Sequence, residues 1–135
     1  PVNFEIKNYD EKAKIYNLGF REYDARWLYP EQINLAGVQK VGLGLGALIK
    51  KSGNNNKISV GHDFRSYSEE IKEALIGGLI AAGIDVHDIG LTISPGAYFS
   101  QYFLQRKNNF FCKYLPMKDL QPIEITDFQY PLLYE

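Results

Sequence analysis

The sequence predicts an α/β domain, a three-layer α/β/α arrangement around a mainly parallel sheet. Three observations predict it. Short β-prone runs alternate with longer runs at helical spacing, the links between them are short, and hydrophobic residues (45%) outweigh charged ones (23%) as in a globular chain. A chain of 135 residues can bury roughly two-thirds of the surface that its unfolded form exposes, so one self-sufficient core is expected.

Residues 1–19 are polar and punctuated by tyrosines, and they read as a lead-in arm. Residues 20–105 carry the regular patterns. The run Phe20 to Trp27 fits a strand. From Ile33 to Lys51, Leu35, Val38, Val41, Leu45, Leu48 and Ile49 fall on one side of a helix. Ser52 to Asn56 suits a turn, and Lys57 to Gly61 reads as a short strand after it. Ser66 and Glu69 match a capping box, in which each side chain accepts from the other's amide. The helix this opens repeats through Ile71, Ala74, Leu75, Gly78, Leu79 and Ala82, with Gly83 placed for a left-handed cap. Ile84 to Gly90 alternates as a half-buried strand. Pro95 begins a further helical segment through Tyr98, Tyr102 and Phe103. Residues 106–135 hold three of the six prolines and show no sustained period.

Charge and cysteine content narrow the function classes. Lys and Arg number 15 and Asp and Glu 16, a net charge of −1. That balance lacks the electrostatic footprint of a general nucleic-acid or anionic-membrane binder. Cys112 is the only cysteine, so no disulfide forms within the chain and a reducing compartment is expected. The N-terminal residues lack a basic stretch followed by an apolar core, and the apolar runs 41–49 and 74–84 are too short and glycine-rich to span a bilayer. The expectation is a soluble cytoplasmic domain.

In open α/β sheets, ligands gather at the carboxyl ends of the strands. That directs attention to Gly61 to Ser68 and to Gly90 to Gly96. In the first stretch His62 and Asp63 are candidates for acid–base work, and Arg65 with the following helix N-terminus for an anion. The plainer reading is that Asp63 and Arg65 brace the turn, and adjacent strand residues point to opposite faces. In Phe20 to Trp27, Arg21 and Arg26 offer guanidinium forks suited to phosphate or carboxylate, and Tyr23 offers a ring with a hydroxyl. Ordinary ion pairs with Glu22 and Asp24 are the plainer account. Gly42-Leu43-Gly44-Leu45-Gly46-Ala47 spells a dinucleotide-binding motif, yet helical spacing rather than a strand precedes it, so close helix packing fits better. His87 reads as a rim residue, Cys112 as a small buried apolar one, and no H-x-x-x-H or C-x-x-C spacing occurs. The aromatic residues from Tyr98 to Tyr114 read as core or interface.

Four of these segments together resemble one family. Phe20-Arg21-Glu22-Tyr23-Asp24-Ala25-Arg26, Gly61-His62-Asp63-Phe64-Arg65-Ser66, Asp88-Ile89-Gly90-Leu91 and Ser94-Pro95-Gly96-Ala97-Tyr98-Phe99 look like the first domain of the α-D-phosphohexomutases. The match is closest to a bacterial phosphomannomutase/phosphoglucomutase branch and covers residues 20–105. Ala25 and Trp27 replace the commoner Ile and Gly, and His62 replaces a usual Arg.

The resemblance implies an enzyme of several domains that moves phosphate between the 1- and 6-positions of glucose or mannose phosphate. A phosphoserine in a T-A-S-H-N loop carries the phosphoryl group, and Mg²⁺ held by aspartates of the second domain neutralises charge. Residues matching Tyr23 and Arg26 line the cleft beside it, and Arg65 is a further candidate. The match ends at Arg106, and no Ser-His-Asn triplet occurs in the chain. The expectation is a first domain cut off before its nucleophile, with a divergent, frame-disrupted tail over 106–135 and no turnover by itself. It would bind hexose phosphate weakly and bind no Mg²⁺. It would self-associate, or pair with a fragment carrying the other domains. A non-catalytic sugar-phosphate-binding module and a small dinucleotide-binding protein are the competing readings.

Overall fold

The computed structural model describes residues 4–21, 24–51, 56–91, 111–113 and 122–126, with backbone alone for Asp24 and beyond 91. A short 3₁₀ turn at Asn17–Gly19 precedes β1 (Asp24–Leu28), α1 (Leu35–Lys51), β2 (Lys57–His62), α2 (Ser68–Ala81) and β3 (Asp85–Leu91). Two later strands are also described, β4 (Phe111–Lys113) and β5 (Pro122–Thr126). The helical segment expected from Pro95 lies outside the described residues.

Strand β2 runs parallel to β3, as a βαβ unit requires, from Lys57 opposite Asp85 to His62 opposite Leu91. Ile58, Ser59 and Val60 are all buried, so β2 is covered on both faces, whereas β3 is largely exposed and pairs with β2 alone among the described strands. The 106–135 stretch, in which no period was evident, contributes strands. Pro122 to Thr126 pairs antiparallel with β1, and β4 pairs antiparallel with β5 and lies beside β2. The local pattern Pro-Ile-Glu-Ile-Thr alternates in a way that permits this, but its partner strand is far away in sequence.

Helix α1 begins at Leu35, two residues later than the apolar spacing predicts. Ile33, fully buried, instead makes an antiparallel bridge with Ile15 of the arm. Asn34 then serves as the N-cap, its Oδ1 accepting from the Gly37 amide at 2.8 Å and from the Lys14 amide at 2.9 Å. Its Nδ2 donates to the Lys12 carbonyl at 2.8 Å. One side chain therefore caps a helix and anchors the arm. The arm also receives a hydrogen bond from Gln39 Nε2 at the Lys7 carbonyl, 2.8 Å. The arm is thus tied to the domain at Lys7, Lys12, Lys14 and Ile15.

Helices α1 and α2 approach closely because glycines face each other. A methyl group on Gly42 would strike the Leu75 carbonyl, and one on Gly78 would strike the Gln39 carbonyl. The core lies under this contact: Ile58 and Val60 of β2, Leu75 and Leu79 of α2, Val38 and Ile49 of α1, and Trp27 of β1.

The expected capping box at Ser66 and Glu69 is not formed. Helix α2 starts at Ser68 with Tyr67 in the cap position and no side-chain cap. Asp63 braces the turn ahead of it instead: its Oδ1 accepts from the Arg65 amide at 3.2 Å and from Ser68 Oγ at 2.5 Å. An aspartate two residues ahead of a free amide competes well for it. At the other end Gly83 takes φ +83°, its amide donates to the Ile80 carbonyl, and the Ile84 amide donates to Leu79. That is the paired hydrogen-bond pattern of a Schellman cap, at the position the sequence marks.

Candidate functional site

The carboxyl ends of β1 and β2 meet at the start of α2. From β2 the chain passes through His62, Asp63, Phe64 and Arg65 into the helix. Arg65 is turned inward: its Nε lies 3.6 Å from Asp63 Oδ2, with both side chains mostly buried. Its Nη1 donates to the Tyr67 hydroxyl at 3.2 Å. The Tyr67 ring stacks on Tyr29, which comes directly after β1, with centroids 6.0 Å apart. Burial pushes the Tyr29 hydroxyl above the ordinary tyrosine value, and the charges of Glu70 and Glu11 add to this.

This network realises the bracing role of Asp63 and Arg65. Arg65 is a scaffold cation here, with its guanidinium engaged by Asp63 and Tyr67. His62 and Asp63 do not form an acid–base pair, since the Asp63 carboxylate is taken by Ser68 and Arg65. His62 is half-buried, and its buried Nδ1 has no hydrogen-bond partner among the described residues. The Tyr29–Tyr67 stack is invisible to sequence pattern because two unrelated segments build it. The available signal was a tyrosine close behind each strand-end motif.

Arg26 sits in the middle of β1. Ala25 and Trp27, at 0% and 1% exposure, are in the core. Strand alternation therefore sends Arg26 to the opposite face, where it is half-buried. Tyr23 lies outside the described residues. His87 is exposed at the rim, as expected. Cys112 lies in β4, where the backbone alone is described. Gly42, Gly44 and Gly46 all fall within α1, at its middle and not at an N-terminus. Their amides serve the helix, which removes the geometry a dinucleotide pyrophosphate needs.

Among the described residues no three His, Cys, Asp or Glu side chains converge on a point that could hold a metal ion. The strand-end carboxylates Asp63 and Asp88 each bind protein donors instead. No helix among the described residues is long and apolar enough to cross a membrane.

Comparison with known proteins gives this geometry a context. Residues 17–108 match the family model described as phosphoglucomutase/phosphomannomutase, alpha/beta/alpha domain I. A phosphomannomutase of Vibrio cholerae serotype O1 is 35% identical over 86 residues, 63% of this chain and 19% of that protein. A probable phosphoglucosamine mutase of Pyrococcus abyssi is 42% identical over 77 residues, 57% of this chain and 15% of its own length. The chain thus spans less than a fifth of either relative. A solved phosphoglucomutase/phosphomannomutase family protein from Burkholderia thailandensis shares the fold at TM-score 0.68 and 23% identity, over 83% of this chain and 26% of that one. The motif segments, the α/β/α arrangement and the matched span agree, and the chain belongs to the phosphoglucomutase/phosphomannomutase family, of which it carries domain I.

Proposed function

We propose that this chain takes the first-domain part in phosphoryl transfer on hexose phosphates, with Arg26 and Tyr23 meeting the phosphate. One observation supports the reading most: the alternation of β1 that buries Ala25 and Trp27 leaves Arg26 half-buried on the other face. A guanidinium in such a place offers a planar fork to a phosphate with partial exclusion of water. Phosphoryl transfer asks the protein mainly for positioning and charge stabilisation, which an arginine supplies. The nucleophile is a separate matter. Each of the two histidines is followed by aspartate, so no Ser-His-Asn triplet occurs in these 135 residues. Without a serine nucleophile there is no covalent phosphoenzyme route.

Phe64 and Leu91, 86% and 65% exposed, stand at the carboxyl edge. They favour a compatible second reading in which further domains cover this edge.

Titration of the chain with glucose 1-phosphate and mannose 1-phosphate, monitored by NMR, tests the proposal. Weak saturable shifts at β1 are expected. Arg26→Ala should lower the affinity about tenfold or more, the scale of one hydrogen bond to a charged group. An Arg26→Ala chain that keeps its fold by circular dichroism and binds as tightly as the parent overturns the assignment.

A further inference from the structure

Ser68 and Lys72 stand one turn apart on one face of α2, and both are buried, at 0% and 6% exposure. Each meets a carboxylate from a strand end. Ser68 Oγ donates to Asp63, and Lys72 Nζ lies 2.8 Å from Asp88 Oδ2. The second oxygen of Asp88 is also engaged, since Oδ1 accepts from the Gly90 amide at 2.8 Å.

The β2–β3 ladder slips at this point. Val60 stands opposite Asp88 and Gly61 opposite Gly90, so Ile89 is an extra residue on β3. Gly90 itself takes φ +69°. A bulge of this kind bends its strand and re-aims the residues beyond it. An aspartate that reaches two residues forward to an amide holds such a bend locally. Lys72 is the only buried lysine among the described residues, and its ammonium is far better placed beside a carboxylate than alone.

We infer that Lys72 is a positioning residue: it fixes the Asp88 carboxylate, and that carboxylate sets the bulge at Ile89. Through the bulge, α2 aligns the end of β3 with Gly61 and the loop that carries Asp63 and Arg65. The inference rests on these contacts and is independent of the proposed function. An ion pair that merely ties helix to sheet would stabilise α2 without shaping the strand, and the two roles differ in what they do to Gly90.

The test uses Lys72→Met, Lys72→Arg and Asp88→Asn in the full chain, with amide exchange and chemical shifts read at Gly90, Gly61 and Leu75. In Lys72→Met the Gly90 amide should exchange about tenfold faster relative to Leu75, with shifts moving at Gly90 and Gly61. Asp88→Asn should reproduce this, the double variant should add nothing further, and Lys72→Arg should restore most of the parent behaviour. Should either single variant fail to fold, the Lys72→Met/Asp88→Asn double variant, which leaves no buried charge unpaired, carries the same test. An unchanged Gly90 amide, or one accelerated only by the factor seen at Leu75, overturns the inference.

Discussion

Gly78→Ala should destabilise the chain by about 3 kcal/mol or more, the upper end of what overpacking costs. The reason is geometric. A methyl group there meets the Gln39 carbonyl and stands 2.7 Å from the Leu43 amide, two backbone groups bonded to each other within α1. No side chain can turn aside, so α1 must move as a body. Gly42, directly across, meets Leu75 and the Gly78 backbone in the same way, so relief on one side is blocked from the other. Urea unfolding monitored by circular dichroism reads the effect. A loss under about 0.5 kcal/mol, the ordinary spread for a surface change, would mean that the helices are farther apart than described.

Trp27→Ala should cost about 3–5 kcal/mol, as for other buried large aromatics. The indole is 1% exposed, its Nε1 donates to the Tyr16 carbonyl at 2.7 Å, and the Phe20 ring meets it edge-on at 5.0 Å. Truncation leaves a cavity and removes one of the two hydrogen bonds that the Tyr16 carbonyl accepts, the other coming from the Gly19 amide. The family resemblance places a glycine at this position. Here the larger ring covers Gly19 so tightly that a methyl group on that residue would collide with it. Loss of the near-ultraviolet signal of Trp27, with faster proteolysis within residues 16–20, should accompany the fall in stability. Retained protection of that segment would show that the arm docks without the indole.

Much of this fold was legible because its signals are local. The period through Ile71, Ala74, Leu75 and Leu79 and the glycine at 83 mark α2 and its end, the β-prone run at Lys57 to Gly61 marks β2, and the alternation from Ile84 to Gly90 marks β3. What was not legible depends on distant partners. Asn34 is a cap whose second task needs the backbone of Lys12 and Lys14, and Ile33 leaves the helix because Ile15 is there to pair with it. Ser66 fits a capping box by spelling, but α2 begins two residues later, at Ser68, whose hydroxyl donates to Asp63. The pairing of β1 with Pro122 to Thr126 joins opposite ends of the chain and could not be read from either. For the site, the face that Arg26 occupies comes from alternation alone, whereas the inward turn of Arg65 depends on Tyr67 and Asp63 together.

The central proposal is that Arg26 meets the phosphate in a phosphohexomutase first domain whose 135 residues contain no Ser-His-Asn triplet. The direct measurement is turnover: purified chain with glucose 1-phosphate or mannose 1-phosphate, assayed for the 6-phosphate and for phosphate bound to protein. No conversion and no phosphorylated side chain are expected, while the sugar phosphate still perturbs the Arg26 strand. Formation of the 6-phosphate, or a stable phosphoserine on this chain, would contradict the account.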